Sequence, residues 1–342
     1  MRAASDVGGT FTDLVYYEVD AATGRCGEIK SVKTDTTPPR FEEGVMNALH
    51  KAGLNLSDLV FFAHGSTVII NAITERKGAR TALITTAGFR DVLEIARGNR
   101  PDLFNFRFQK PAAMVERHLR AEIRERVNYK GVIEKEADLS GLPELLAYFR
   151  AEKVEAIAVC FLYGYLNSEN ERRTVQRIVE LWPQVSVLAS HQISREWREY
   201  ERTNTTVLSA YVHPVAQRYI ESLESRLTAG GYDSTLYMMQ SNCGISTARA
   251  AKANPISMVE SGPASGIHAA AWLGRVIGEN NLIVLDIGGT TAKCTLVEDG
   301  KVRVSTQYHI EKTRTHPGYP IQTPVSEIVE IGNGGGSIAW ID

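Results

Sequence analysis

The chain has 342 residues, 43% hydrophobic and 23% charged, with a net charge of −2. That length exceeds one ordinary core and predicts two domains. The charge balance excludes a general attraction to nucleic acid or an anionic membrane, and no apolar run reaches the roughly 18 residues of a membrane helix.

Short apolar strands alternate with helical patterns along the chain, which predicts an α/β fold. "DLVYYEV" and "IKSVKT" read as strands. "TTPPRFEEGVMNALHKAG" reads as a loop and a helix, with Phe41, Val45, Ala48 and Leu49 on one face and Gly53 at its end. "LVFFAHGS" is a buried strand, "TVIINAITERKGA" a helix stopped by Gly78, and "RTALITT" the next strand. Residues 97–137 lose periodicity and predict an irregular insertion or a small polar sheet, whose arginines read as a solvated face. Regular α/β resumes with a helix around Leu139–Glu152, the strand "VEAIAVCFLYG", a helix around Glu169–Leu181 and the strand "VSVLAS". A long helix follows from about Tyr200 to Ala229, ended by Gly230-Gly231. "STLYMMQS" is a strand, "PASGIHAAAWLGRVIG" a helix rich in small residues, and "NLIVLDIGG" a buried strand. The four cysteines (Cys26, Cys160, Cys243, Cys294) are scattered without a CxxC. They argue against a zinc site or disulfide framework and fit a reducing, cytoplasmic setting. The start "MRAASDVGG" enters the first motif directly, so no signal peptide is expected.

One phrase occurs twice: "SDVGGTFTDLV" near the start and "DIGGTTAKCTLV" from Asp286. Each copy is a strand, a Gly-Gly turn and a second strand. Paired glycines remove Cβ atoms and permit positive φ, so backbone N–H groups can approach an anion closely. Threonines 10, 12, 290 and 291 add hydroxyl donors. The aspartates, Asp6 and Asp286, would sit badly against bare phosphate and make sense with a divalent metal between, since Mg²⁺ takes one or two carboxylates plus phosphate oxygens. The phrase is neither a P-loop nor a GxGxxG fingerprint. One copy alone is an ordinary hairpin; two copies predict a polyphosphate pinched from both sides of a cleft.

The residues resemble a known family. "DVGGTFTDLV", "HGSTVIINAITERKGARTALITTAGFRDVLEI", "RGNRPDLF", "REYERTNTTVLSAYVHPV", "SGPASGIHAAAWLG", "LDIGGTTAKCTLV" and "EIGNGGGSIAWID" follow one another as in the hydantoinase A and 5-oxoprolinase family. That family includes the ATP-using subunits of acetone and acetophenone carboxylases and is similar to the actin, sugar kinase and heat-shock chaperone ATPases. The resemblance covers nearly the whole chain. It implies an actin-like ATPase (ribonuclease H-like) fold of duplicated domains, with mixed sheets flanked by helices. Residues 1–190 would form the first domain and 191–342 the start of a second, truncated at its C-terminus.

The resemblance also implies site residues. The first phosphate hairpin falls on Asp6, Gly8, Gly9, Thr10, Thr12 and Asp13, and the second on Asp286, Gly288, Gly289, Thr290 and Thr291. Asp6 and Asp286 would hold Mg²⁺ or Mn²⁺, directly or through water. Asp6, Asp286, Glu260 and His64 are the candidate catalytic residues. His64 reads either as a satisfied core group or as a phosphate or substrate contact, and Glu260 could orient a water or metal. Asn71 reads as a packing polar group, "REYERTNTT" as a charged helix face or a motif, and Arg97 and Arg100 as exposed loop arginines or anion ligands. Two positions depart from the family pattern: Lys293 stands where many members have Asp, and Glu327-Ile328-Val329 where many have Asp-x-His. The implied activity is ATP-dependent phosphorylation of a carbonyl oxygen for ring opening of a cyclic amide, with a B-type hydantoinase subunit as partner. The alternatives are the ATP-using subunit of a ketone carboxylase, a small-molecule or sugar kinase, and a nucleotide-dependent regulatory module.

Overall fold

The computed structural model describes residues 1–20, 22–98, 103–288, 292–313, 315–331, 334–338 and 340. The chain opens with an antiparallel meander of β1 (Arg2–Val7), β2 (Phe11–Tyr17) and β3 (Lys30–Asp35). α1 (Phe41–Lys51) covers it through Val45, Ala48 and Leu49, all buried, and β4 (Phe61–Ser66) then lies parallel to β1. After α2 (Val68–Thr74) the chain leaves for a second sheet, laying down β5 (Thr81–Thr86), the one-turn α3 (Val92–Ile95) and β6 (Arg120–Ile123). A small ribbon, β7 (Arg126–Val127) with β8 (Ile133–Lys135), occupies the stretch expected to be irregular or a small polar sheet. α4 (Leu142–Ala151), β9 (Ala156–Cys160), α5 (Glu169–Leu181) and β10 (Ser186–Ala189) complete the second sheet in the order β10-β9-β5-β6.

The short α6 (Ser190–Ile193) leads into α7 (Glu199–Ala229), which packs on β9 and β10 of the second sheet and on α1 and α2 beside the first. β11 (Leu236–Met239) and β12 (Ile245–Thr247) return to the first sheet, giving β12-β11-β4-β1-β2-β3. Strands from beyond residue 190 thus finish a sheet begun at residue 2. α8 (Ala248–Ala253) and α9 (Ser261–Ile277) precede a third sheet that starts with β13 (Leu282–Ile287), β14 (Ala292–Glu298) and β15 (Lys301–Val302). The ribbon strands β16 (Val304–Ser305), β17 (Tyr308–Ile310), β18 (Tyr319–Ile321) and β19 (Val325–Ser326) pair as β16-β19 and β17-β18, and β20 (Val329–Ile331) joins β14. β1 lies between β2 and β4, whereas β13 has β14 as its one partner among the described residues. Ile283, Leu285 and Ile287 of β13 are accordingly exposed.

The start of α7 departs from expectation. "REYERTNTT" is not a charged outer face: Arg202, Thr203, Asn204, Thr205 and Thr206 are all buried. Most of their polar groups find partners inside, although Arg202 Nε and Nη1 are buried without one. Thr205 and Thr206 hydroxyls donate to the carbonyls of Glu201 and Arg202 at 2.6 and 2.8 Å, Arg202 donates to the Phe161 carbonyl at 2.6 Å, and Asn204 to that of Pro320 at 2.9 Å. Buried polar groups of this kind are tolerated where they find such partners.

Gly78 also has a different role from the expected helix stop. α2 already ends at Thr74, and Arg76 takes the positive φ that turns the chain. Gly78 instead lies against the Tyr211 ring of α7, where a Cβ would come within 2.1 Å of a ring carbon. Gly78→Ala must therefore displace an aromatic ring in a packed core. The expected cost is about 1–3 kcal/mol in urea unfolding, and an unchanged midpoint would show that the loop yields freely.

Candidate functional site

The first hairpin is tight. The Gly8 N–H donates to the Phe11 carbonyl at 2.9 Å, which leaves Gly9 and Thr10 exposed at the tip. Register places Asp6 opposite Asp13 and Val7 opposite Thr12. Thr12 points inward and is fully buried. Its hydroxyl lies 3.2 Å from that of Thr36, and a Cβ on Gly44 of α1 would come within 2.7 Å of it. Thr36 in turn donates to the Gly8 carbonyl at 3.0 Å. Thr12 is thus a brace behind the hairpin rather than part of its tip. Asp13 forms an ion pair with Lys33 of β3 at 3.2 Å.

Asp6, at the end of β1, lies between two glycines from distant parts of the chain. A Cβ on Gly65 of β4 would be 2.9 Å from Asp6 Oδ1, and one on Gly262 in the first turn of α9 would be 2.8 Å from it. The start of α9 is clasped to β4, with the Ser261 hydroxyl donating to the Ser66 carbonyl at 3.2 Å. The partial positive charge of the helix N-terminus therefore lies beside the carboxylate. Even so, Asp6 Oδ1 is buried with no hydrogen-bond partner. Burial, with Asp13 and Asp286 adding negative charge nearby, pushes the Asp6 carboxyl up to about 6, while Lys293 acts in the opposite direction.

The second hairpin faces this point. Asp286 pairs in register with Lys293 across β13 and β14, and Asp286 and Gly288 are exposed. Gly289, Thr290 and Thr291 lie outside the described residues. The Gly335 N–H donates to the Gly288 carbonyl at 2.9 Å, so the last glycine run rests on this hairpin. Lys293, the departure from the family pattern, forms an ion pair with Glu260. Glu260 is 2% exposed, precedes α9 and takes a left-handed φ of 60°. The Tyr308 hydroxyl lies 3.5 Å from its other carboxylate oxygen, and burial keeps that phenol protonated.

His64 is placed one strand behind. It is wholly buried, with Nδ1 2.6 Å from the Ser5 hydroxyl and Nε2 bonded to the Tyr219 hydroxyl. Burial lowers its pKa to about 3, so it is neutral, and both ring nitrogens are engaged in the core. Asn71 donates back to the hydroxyl of Thr67, the residue preceding its own helix, at 3.1 Å. Arg97 meets Glu201 of α7, Nε donating at 2.8 Å; Arg100 lies outside the described residues. In the stretch that replaces Asp-x-His, Glu327 accepts from the Thr295 hydroxyl through its carbonyl at 2.7 Å, and Val329 is exposed on β20. Sequence reasoning missed Gly65, Gly262 and Tyr308; the only signal was small residues in "HGST" and "SGPASG".

The donor set fits a divalent cation. One carboxylate oxygen is buried without a partner, and three aspartates interact across the cleft. Among the described residues no three His, Cys, Asp or Glu side chains form a metal cage. A cation that completes its shell with phosphate oxygens and water requires only one or two carboxylates. Among the described residues no helix is long and apolar enough to cross a membrane.

Known proteins resemble this chain over its whole length. A family model described as the hydantoinase/oxoprolinase N-terminal region matches residues 2–181, and one described as hydantoinase/oxoprolinase matches residues 202–342. An uncharacterized protein of Methanocaldococcus jannaschii is 34% identical over 350 residues, covering 100% of this chain and 51% of its own. The caprolactamase subunit alpha of Pseudomonas jessenii is 30% identical over 351 residues, covering 100% of this chain and 49% of its own. The crystal structure of the ATP-dependent caprolactamase from that organism superposes with a TM-score of 0.82 at 29% identity, over 100% of this chain and 49% of that one. The chain spans about half the length of these curated relatives.

Two outcomes follow from the geometry. Lys293→Met would leave the buried Glu260 carboxylate without its cation, at an expected cost of about 3 kcal/mol in chemical denaturation. Adding Glu260→Gln should recover most of that loss; a loss below about 0.5 kcal/mol in the single variant would show the pair to be unimportant. The second outcome concerns pH. The Asp6 carboxyl is raised from 3.8 to about 6 on folding, so the folded state holds its proton longer. Stability should therefore fall as pH rises from about 4 to 6 and level off above, by on the order of 3 kcal/mol. Comparing wild type with Asp6→Asn in EDTA without nucleotide isolates this effect, and parallel pH profiles would refute it.

Proposed function

The chain belongs to the hydantoinase and 5-oxoprolinase family, and from that premise we propose that it is the nucleotide-phosphate part of an enzyme that activates a carbonyl oxygen with ATP. The observation that carries the reading is the opposition of Asp6 and Asp286, one from each copy of the glycine hairpin, around a buried oxygen with no partner. The exposed tip at Gly9 and Thr10 offers backbone donors for phosphate oxygens. Mg²⁺ or Mn²⁺, held by Asp6 and Asp286 directly or through water, would neutralise phosphate charge. Glu260 serves as a positioning residue that fixes the Lys293 ammonium beside the cleft, and His64 as one that fixes β1 through Ser5.

The substrate in this reading is a cyclic amide. The γ-phosphoryl group passes from ATP to the amide oxygen and ADP leaves. Water then adds to the activated carbon, the ring C–N bond breaks as the nitrogen takes up a proton, and a second water hydrolyses the resulting acyl phosphate to the carboxylate and inorganic phosphate. Catalysis of the first step rests on positioning and charge neutralisation. The relative called caprolactamase supports a ring-opening substrate, and its designation as subunit alpha supports a B-type partner. The gap between the two family models supports a boundary in sequence near residue 190, although β11 and β12 from beyond it complete the first sheet. Four unpaired cysteines support a cytoplasmic setting.

Asp286→Asn should slow Mg²⁺-dependent ATP hydrolysis by at least about tenfold, equal to about 1.4 kcal/mol, with the fold retained. Hydrolysis in the wild type should rise with caprolactam, hydantoin or 5-oxoproline. Unchanged turnover in folded Asp286→Asn protein would refute the assignment, and accumulation of a stable phosphorylated sugar would establish a kinase instead.

A further inference from the structure

Lys293 has hydrogen-bond donors to spare beside the phosphate hairpins. An ammonium carries three, and among the described residues this one bonds a single acceptor, the Glu260 carboxylate. Glu330 is level with it on β20 but exposed, and among the described residues no ion pair joins the two. The Lys293 side chain is 13% exposed, so little of it reaches bulk water. Its remaining donors are therefore available to a group that enters the cleft.

The direction of the side chain is fixed from three sides. Register places Lys293 opposite Asp286, and cross-strand partners of that kind project from the same face of a sheet. Its charge opposes the effect of burial on the Asp6 carboxyl, so it lies within electrostatic reach of the first hairpin as well. Glu260, which holds it, stands two residues before Gly262, whose backbone crowds Asp6 Oδ1. The holder is itself fixed: Glu260 is buried, begins α9 and has the Tyr308 hydroxyl 3.5 Å from its other oxygen. A cation set in place this way loses little side-chain freedom when it meets an anion. A plain tie between α9 and the third sheet would not require charge, since an apolar contact at such a position avoids the desolvation of two ions.

We infer that Lys293 is a phosphate ligand: it keeps its bond to Glu260 and donates a further hydrogen bond to a phosphate oxygen held between the two hairpins. The inference deepens the preceding reading and rests on it for the nature of the anion. It gives the chain a fixed positive charge at the phosphates, one that no metal ion supplies. Calorimetry with inorganic triphosphate and Mg²⁺ tests it. Lys293→Met/Glu260→Gln removes both charges of the pair and leaves its net charge at zero, so the loss of the donor is separated from a change in the field of the cleft. Affinity should fall about tenfold or more, the worth of one hydrogen bond to a charged group. Glu260→Gln alone keeps the ammonium and should bind triphosphate at least as tightly as wild type. Thermal unfolding establishes that each variant is folded. In wild type, triphosphate should also slow acetylation of Lys293, read by mass spectrometry, a measurement that requires no substitution. Unaltered affinity in the folded double variant, an equal loss in Glu260→Gln, or a Lys293 that triphosphate does not protect would overturn the inference and leave the phosphate cleft standing. Absence of saturable triphosphate binding to wild type would overturn both.

Discussion

The Asp6 carboxylate governs the geometry around it. An anion at the end of β1, with one oxygen shut off from water, is tolerable only if its neighbours add no bulk and its surroundings add positive potential. The first demand explains glycine at 65 and at 262, since a methyl group at either position would come within 3.0 Å of the same oxygen. The second explains why α9 begins here, its end tied to β4 through Ser261. To start at that point the chain must turn sharply before the helix, and Glu260 takes the left-handed conformation that permits it. The same turn aims the Glu260 carboxylate at Lys293, so that one ion pair joins the helix start to the third sheet.

The two hairpins share a backbone plan but differ in their electrostatics. Each has an aspartate at the end of its first strand, and each places one residue of the second strand directly opposite. In the first copy that residue is Asp13, neutralised within its own sheet by Lys33. In the second it is Lys293, which reaches out of its sheet to a helix. The difference is consistent with their settings. β1 is enclosed by strands on both sides, while β13 has one described neighbour and draws its fixation from α9.

What was legible in the sequence was local. Both hairpins were readable because Asp, Gly-Gly and Thr act within five residues of one another. α5 was placed at its observed limits because its acidic first turn and apolar stripe are contiguous. What was hidden depended on partners far along the chain. Nothing near Gly78 announces Tyr211, and nothing in "SGPASG" announces Asp6. "REYERTNTT" has the composition of a surface, and its buried Arg202 and Asn204 bond to carbonyls far along the chain, at Phe161 and Pro320. His64 stayed open between two readings until Tyr219 supplied the second partner for its ring. Lys293 was visible as a departure, but its meaning required knowing where Glu260 lies.

That departure bears on how many cations the cleft can hold. Around it lie four carboxylates, Asp6, Asp13, Asp286 and Glu260, and two ammonium groups, Lys33 and Lys293. With all six ionised, two negative charges remain, the amount one divalent cation cancels. An aspartate at position 293 would remove a positive charge and add a negative one, leaving four. Beyond the effect of burial, Asp13 and Asp286 already act to raise the Asp6 carboxyl, and a further carboxylate would add to that repulsion. A cleft with that surplus would need more than one divalent cation, or would hold protons on its acids near neutral pH. In the proposed reading Lys293 would let a single divalent cation balance the site, and without one the Asp6 carboxyl is raised, first by its burial and then by the charges of Asp13 and Asp286.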